Sequence, residues 1–164
     1  METAGGGREM TAPRTQLAEV CHQLNQQGAR YVLIGARAMQ LWGTTRATRD
    51  IDILIEATVE NARRVLAAVG EAGNALAHEW LAEDVASRFA TILGDDPRVD
   101  IFTLAWCVRF PEARAAARIF RIEGVDIPTV SLDHLIASKR TGRLQDAADI
   151  EVLEEIRRLR GAGD

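Results

Sequence analysis

The sequence lacks the features typical of zinc-binding, membrane-spanning and secreted proteins. Its two cysteines, Cys21 and Cys107, stand far apart and lack the spacing of zinc ligands, so a reduced protein is the simpler expectation. No apolar run approaches the roughly 18 residues that a membrane span needs. The first residues, METAGGGREM, lack the apolar stretch of a signal peptide. We therefore expect a cytoplasmic protein with no part in a membrane.

Positively charged residues are also fewer than negatively charged ones. The 20 Lys and Arg residues are outnumbered by 24 Asp and Glu residues, which gives a net charge of −4. This balance argues against a protein that coats nucleic acid, but it leaves open an enzyme that contacts one RNA end. With 164 residues, 47% of them hydrophobic, the chain can bury a real core. We predict a flexible arm over residues 1–13 and a single domain over residues 14–164.

The spacing of apolar residues predicts an α+β architecture, with helices around a small mixed sheet. Predicted strands occupy residues 31–35 and 49–55, and two hairpins follow, formed by RFATIL with RVDIFTL and by the two halves of FRIEGVDIPTV. A helix pair closes the chain, and Ser131 is the expected N-cap of its first helix. The second helix is expected to pack through one apolar stripe, which consists of Leu144, Ala148, Val152, Ile156 and Leu159.

Two aspartates in the second predicted strand carry the first chemical signal. Side chains two residues apart on a strand point to the same face, so Asp50 and Asp52 would lie side by side. Neighbouring carboxylates repel each other, and a hard divalent cation such as Mg²⁺ relieves that repulsion. A bare Asp-x-Asp is more often a polar strand edge, so the pair indicates a metal site only together with other features.

Asp100 and Gly35 are those other features. Asp100 lies between apolar residues in a later predicted strand, and three carboxylates converge if that strand pairs beside the Asp-x-Asp strand. Three carboxylates are enough to hold the two metal ions of a phosphoryl- or nucleotidyl-transfer site. Gly35 ends the first strand and opens a helix, whose free N–H groups can bind phosphate. For either residue alone, a solvent-facing strand end or a tight turn without a ligand remains an alternative.

The run LIGARAMQLWGTTRATRDIDILI resembles the nucleotidyltransferase superfamily that includes DNA polymerase beta. The signature of that superfamily is a strand, Gly followed by Gly or Ser, a short helix, Asp-x-Asp on the next strand, and a third carboxylate later. Within the superfamily, the sequence is most similar to the small bacterial AbiEii-type group found among toxin–antitoxin systems. The pattern G-x-x-R-x-T-x-D-x-D, which begins at Gly43, and the later run SLDHLIASKRTGRLQDAADIEVL both contribute to this resemblance.

The resemblance implies a nucleotidyltransferase fold and a role for each matching residue. The catalytic residues and ligands of Mg²⁺ or Mn²⁺ would be Asp50, Asp52 and Asp100. Asp100 would also help to take the proton from the attacking hydroxyl group. The nucleotide-binding residues would be Gly35, Ala36, Arg46, Lys139 and Arg143. Ala36 departs from the Gly or Ser of the superfamily, which removes a hydroxyl contact.

Several of these implied roles have alternatives. Lys139 either reaches the β- or γ-phosphate or is a solvated lysine. Arg46 either braces the carboxylate strand or contacts phosphate, and Arg143 serves either phosphate or Asp146. Asp146 and Asp149 are expected to form a structural ion-pair network rather than to bind metal.

The resemblance further implies an enzyme that moves a nucleoside monophosphate from a nucleoside triphosphate to an acceptor hydroxyl group and releases pyrophosphate. The acceptor could be a tRNA end, a protein or a small molecule, and the protein could be the toxin that a cognate antitoxin neutralises. The alternative is a non-catalytic, antitoxin-like protein that binds nucleotide or a partner protein, which only Ala36 favours. A metal-dependent glycosyltransferase is disfavoured, because its nucleotide-sugar domain usually needs a longer chain.

Overall fold

The structure is a computed structural model that describes residues 13–163. Apart from Pro13, the predicted N-terminal arm lies outside the described residues. Residues 13–163 form seven α-helices, which are α1 (Gln16–Gln26), α2 (Gly35–Trp42), α3 (Val59–Glu71), α4 (Ala82–Ser87), α5 (Phe110–Ala115), α6 (Leu132–Ser138) and α7 (Leu144–Gly163), and a 3₁₀-helix (Ala75–Glu79). The strands are β1 (Tyr31–Ile34), β2 (Ile51–Ile55), β3 (Ala90–Leu93), β4 (Val99–Phe102), β5 (Arg118–Ile122) and β6 (Val125–Thr129).

The strands form one mixed sheet in the order β3-β4-β2-β1-β6-β5. The pairs β1–β2, β3–β4 and β5–β6 are antiparallel, whereas β2–β4 and β1–β6 are parallel. Both predicted hairpins are therefore confirmed, as β3–β4 and β5–β6, and so is the α+β class with a mixed sheet. The parallel pairing of β2 with β4 matters most for function, because it places the Asp-x-Asp strand beside the strand of Asp100.

Apolar runs and side-chain caps explain why these elements form where they do. All four residues of β1, YVLI, are buried, as is typical of a strand in the middle of a sheet. The hydroxyl groups of Thr15, Thr58 and Ser131 accept N–H groups at the starts of α1, α3 and α6, which confirms the predicted cap at Ser131. Both cysteines are free thiols. None of the helices within residues 13–163 combines the length and the apolar character needed to cross a bilayer.

The apolar stripe predicted for the last helix is wrong except at Ile156, which packs against the core. Leu144 is 89% exposed and Leu159 is 56% exposed, whereas Leu153 is fully buried. The same inner face of α7 carries Asp146 and Asp149, which are also buried. Buried carboxylates need polar partners, so the face that α7 turns inward is determined by ion pairing as well as by apolar contact. Those partners lie at the candidate active site.

Candidate active site

Gly35 forms the turn between β1 and α2 and lies directly against Asp52. The register of β1 with β2 pairs Ile34 with Asp52, which brings the end of β1 to the aspartate. The φ angle of Gly35 is +72°, a conformation that glycine adopts without steric penalty. A Cβ atom at this position would lie 2.2 Å from Asp52 Oδ2. No side chain caps the N-terminus of α2, so the N–H groups of its first turn remain available to a ligand.

The β2–β4 ladder brings Asp52 and Asp100 together. The two residues are direct partners in the register of the parallel pair, and Asp100 is only 6% exposed. Burial raises the pKa of Asp52 to about 7, and the nearby charges of Asp100 and Asp50 and a hydrogen bond with Asp100 add to this rise. The positive charge of Lys139 acts in the opposite direction. Burial, together with the neighbouring carboxyl groups, therefore disfavours the ionised form of Asp52.

Asp50 lies one residue before β2 and is linked to Asp100 through Arg98. The Nε atom of Arg98 is 3.1 Å from Asp100 Oδ1 and 3.5 Å from Asp50 Oδ1. A second hydrogen bond, of 3.3 Å, joins Arg98 Nη2 to Asp100 Oδ2. Arg98 was not predicted as a site residue, although it stands two residues before Asp100 in a strand-like run and so shares its face. The strand period alone could have identified it.

The donor set of the site fits a hard divalent cation. Asp50, Asp52 and Asp100 offer only carboxylate oxygens, which Mg²⁺ and Mn²⁺ prefer. Gly35 keeps open the space beside Asp52 Oδ2 that any other side chain would fill. Within residues 13–163, however, no three acidic, histidine or cysteine side chains are already gathered as a metal-binding group. The guanidinium group of Arg98 joins Asp50 to Asp100.

A pocket of about 250 Å³ opens beside Asp52. Its polar lining includes Gly35, Asp52, Ser138, Lys139, Thr141, Arg143 and Asp146. Its apolar lining consists of Ile34, Phe102, Leu104, Ala105 and Trp106. The pocket thus combines a helix N-terminus, two cationic side chains and an apolar wall next to the carboxylates, which is a combination suited to a nucleoside phosphate.

Lys139 is held in this pocket by the buried carboxylates of α7. Its Nζ atom is 3.1 Å from Asp149 Oδ2 and 3.6 Å from Asp146 Oδ1, and its side chain is only 16% exposed. Burial alone would raise the pKa of Asp146, but hydrogen bonds from Thr141 and Arg143 and the charge of Lys139 hold it below its usual value. The ion-pair network expected for Asp146 and Asp149 is therefore present, and Lys139 is a positioned cation rather than a solvated one.

The remaining predicted residues occupy different places. Arg143 Nε is 2.8 Å from Asp146 Oδ2, while most of its side chain is exposed at the rim of the pocket. Ala36 belongs to the first turn of α2. Arg46 contacts Asp149 at 2.6 Å and lines a separate groove with Gly43 and other residues, away from the pocket of Asp52. The structure thus brings Gly35, Asp52, Lys139 and Arg143 around one pocket and leaves Arg46 outside it.

The chain is similar to a family of known proteins. The model of a family described as "Nucleotidyl transferase of unknown function (DUF2204)" matches residues 13–163, which is nearly the whole chain. No curated protein gives a significant match. The glycine turn, the Asp-x-Asp strand and the third carboxylate on a parallel neighbour all lie within the matched region. The chain belongs to this family of nucleotidyl transferases.

Proposed function

We propose that the protein is a metal-dependent enzyme that transfers a nucleoside monophosphate from a nucleoside triphosphate to an acceptor hydroxyl group. The observation that carries this proposal is the contact geometry of Gly35, Asp52 and Asp100. The glycine turn places a free helix N-terminus against one carboxylate, and the strand register places a second carboxylate beside it. The N–H groups proposed to bind phosphate therefore lie next to the carboxylates proposed to bind metal, as transfer at a triphosphate requires.

Each group of residues has a separate task in the proposed reaction. Asp50, Asp52 and Asp100 hold Mg²⁺ or Mn²⁺, which when bound lowers the pKa of the acceptor hydroxyl and neutralises charge on the triphosphate. The N–H groups that follow Gly35 and the ammonium group of Lys139 orient the phosphates. Asp100 accepts the hydroxyl proton. The acceptor oxygen bonds to the α-phosphorus, the bond to the β-phosphate oxygen breaks, and pyrophosphate leaves.

The acceptor in this proposal is a hydroxyl group of an RNA end, a protein or a small molecule. The resemblance to the AbiEii-type group supports the further proposal that the protein acts as the toxin of a toxin–antitoxin pair. Induced expression of the wild-type chain should then arrest growth, whereas the Asp50→Ala/Asp52→Ala double variant should not. Growth arrest by both proteins at equal expression would contradict the toxin proposal and would leave the proposed transfer chemistry unaffected.

Two observations favour a second candidate, a nucleotide-binding protein that performs no transfer. Ala36 replaces the Gly or Ser of the superfamily signature. Arg98 also stands between Asp50 and Asp100, where it opposes the approach of a second cation. In this case the protein would bind nucleotide or a partner protein with its metal ligands engaged by the arginine.

A transfer assay separates the two candidates. The purified chain is incubated with each α-labelled nucleoside triphosphate and with total tRNA, protein or aminoglycoside acceptors, in Mg²⁺ or in EDTA. The enzyme proposal predicts label on one acceptor class in Mg²⁺ only, and none with the Asp50→Ala/Asp52→Ala variant. Transfer that survives the double change contradicts the proposed metal site. Tight nucleotide or partner binding without any transfer supports the second candidate.

The position of Arg98 gives a prediction about metal affinity. We expect Arg98→Gln to bind Mn²⁺ about tenfold more tightly than the wild type, because it removes a positive charge that competes for the same carboxylates. The measurement is a Mn²⁺ titration by electron paramagnetic resonance in the absence of nucleotide. Arg121→Gln is the matched control, since Arg121 pairs with Asp126 across the β5–β6 hairpin and both side chains are exposed. Unchanged or weaker binding by Arg98→Gln would show that Arg98 supports the carboxylates instead of competing for them.

A further inference from the structure

The pocket beside Asp52 is bordered by a tight turn that carries Trp106. Ala105 and Val108 exchange both backbone hydrogen bonds, each 2.9 Å long, which closes a two-residue turn. Ala105 and Val108 are buried, so the turn is anchored at its base. Trp106 is the first of the two residues at its tip and lines the pocket. The turn therefore positions the backbone of Trp106 at the edge of the site.

The backbone at Trp106 adopts a conformation that a bulky residue rarely takes. Its φ angle is +58°, in the left-handed region that Gly and Asn usually supply in two-residue turns. A glycine at this position would form the turn with less strain. Strained backbone of this kind persists where the side chain has a use, and such positions cluster at ligand-binding sites.

The exposure of Trp106 is the second independent observation. The side chain is 58% exposed, although tryptophan is among the most apolar residues. Among residues 13–163, the rings of Trp42 and Trp80 each have a guanidinium or aromatic partner, whereas no such partner is present for Trp106. An aromatic ring without a protein partner at the edge of a pocket can stack against an aromatic ring of a ligand.

The size of the pocket indicates which part of a nucleotide reaches Trp106. About 250 Å³ is below the roughly 300–1,000 Å³ of typical small-molecule sites, so a nucleoside triphosphate would extend beyond the pocket. Its phosphates belong with Gly35, Lys139 and the carboxylates, which leaves the base to project toward the apolar wall. We propose that Trp106 is the stacking platform for the nucleobase, an inference that rests on the proposed function of the site.

Stacking lets the base contribute to binding affinity without hydrogen bonds to the edge of the base. Every base offers a π-face, so a stacking platform tolerates different bases. The other apolar lining residues carry no side-chain hydrogen-bonding group that could select one base; they are Ile34, Phe102, Leu104 and Ala105. ATP and GTP therefore bind with similar affinity, and both bind more tightly than UTP because the purine ring overlaps more of the indole.

The test compares ATP with inorganic tripolyphosphate, which has the phosphates without the base. Both are titrated in Mg²⁺ into the wild type and into Trp106→Gly, Trp106→Phe and Trp80→Phe by isothermal calorimetry, with a thermal melt of each protein. Trp106→Gly should weaken ATP binding about tenfold and leave tripolyphosphate binding unchanged. It should melt at the same or a higher temperature, because glycine relieves the backbone strain. Trp106→Phe should keep most of the ATP affinity, and Trp80→Phe should keep all of it.

The possible failures are distinguishable. If Trp106→Gly weakens ATP and tripolyphosphate equally, or weakens neither, the stacking role is overturned while the proposed nucleotide site stands. If the wild type binds neither ligand in Mg²⁺, the proposed function and the stacking role fail together.

Discussion

Replacing Asp52 with asparagine should reduce nucleotidyl transfer by at least about a thousandfold and leave the protein at least as stable. Loss of an outer-shell partner of a metal site already costs about 10- to 100-fold, so loss of a direct ligand should cost more. The expected effect on the stability of the folded protein is not a loss. Burial and the charges of Asp100 and Asp50 disfavour ionised Asp52, and a neutral side chain of the same shape removes that repulsion. The measurements are the initial rate of transfer and the melting temperature in EDTA.

The control for this prediction is Asp126→Asn, which neutralises an exposed carboxylate paired with Arg121 on the β5–β6 hairpin. It should retain full transfer activity. An Asp52→Asn variant with more than about a tenth of wild-type activity would exclude Asp52 as a metal ligand. A large drop in its melting temperature would instead assign Asp52 a structural role, since activity would then be lost through unfolding.

The second large effect is expected from Gly35→Ala. The new Cβ atom would lie 2.2 Å from Asp52 Oδ2 and 3.0 Å from both Cβ and Cγ of Asp52, so the carboxylate must leave its present position. The alanine must also adopt a φ angle of +72°, which costs about 1–2 kcal/mol. We expect transfer to fall by at least about a hundredfold and Mn²⁺ affinity to fall with it. The measurements are the transfer rate, a Mn²⁺ titration and denaturant unfolding.

The Gly124→Ala variant separates the effect of the contact with Asp52 from the effect of the positive φ angle. Gly124 has a φ angle of +79°, but no atom lies within 4 Å of the position that its Cβ would take. This variant should lose about the same stability through its backbone and keep its activity and metal affinity. If Gly35→Ala behaves like Gly124→Ala, then the close contact of Gly35 with Asp52 has no function and the proposed geometry of the site is wrong.

The parts of the site that lie on regular strands could be predicted from the sequence. The alternation around Asp50 and Asp52, and the apolar neighbours of Asp100, predict strands that a mixed sheet can pair. The observed register, with Asp52 opposite Asp100, confirms that pairing. Gly35 could be placed because a strand that passes directly into a helix needs a permissive residue at the turn.

Features that depend on tertiary contacts could not be predicted in the same way. Apolar spacing pointed to the wrong face of α7, because the buried face carries Asp146 and Asp149, whose burial depends on Lys139 from another element. The turn at Trp106 was missed because turn propensities place glycine or asparagine, not tryptophan, at a positive φ angle. Both features are local exceptions to a general pattern, and both lie at the pocket of Asp52 or its supporting network.

Nucleotidyl transfer at these carboxylates is tested by finding which phosphate of ATP reaches the acceptor. The chain is incubated with Mg²⁺, an acceptor and ATP labelled in parallel reactions at the α- or the γ-phosphate, alongside the Asp50→Ala/Asp52→Ala variant. We expect the α-label to join the acceptor and the γ-label to be released as pyrophosphate, and we expect neither result with the variant. Transfer of the γ-label, or transfer of either label by the variant, would contradict nucleotidyl transfer at these carboxylates.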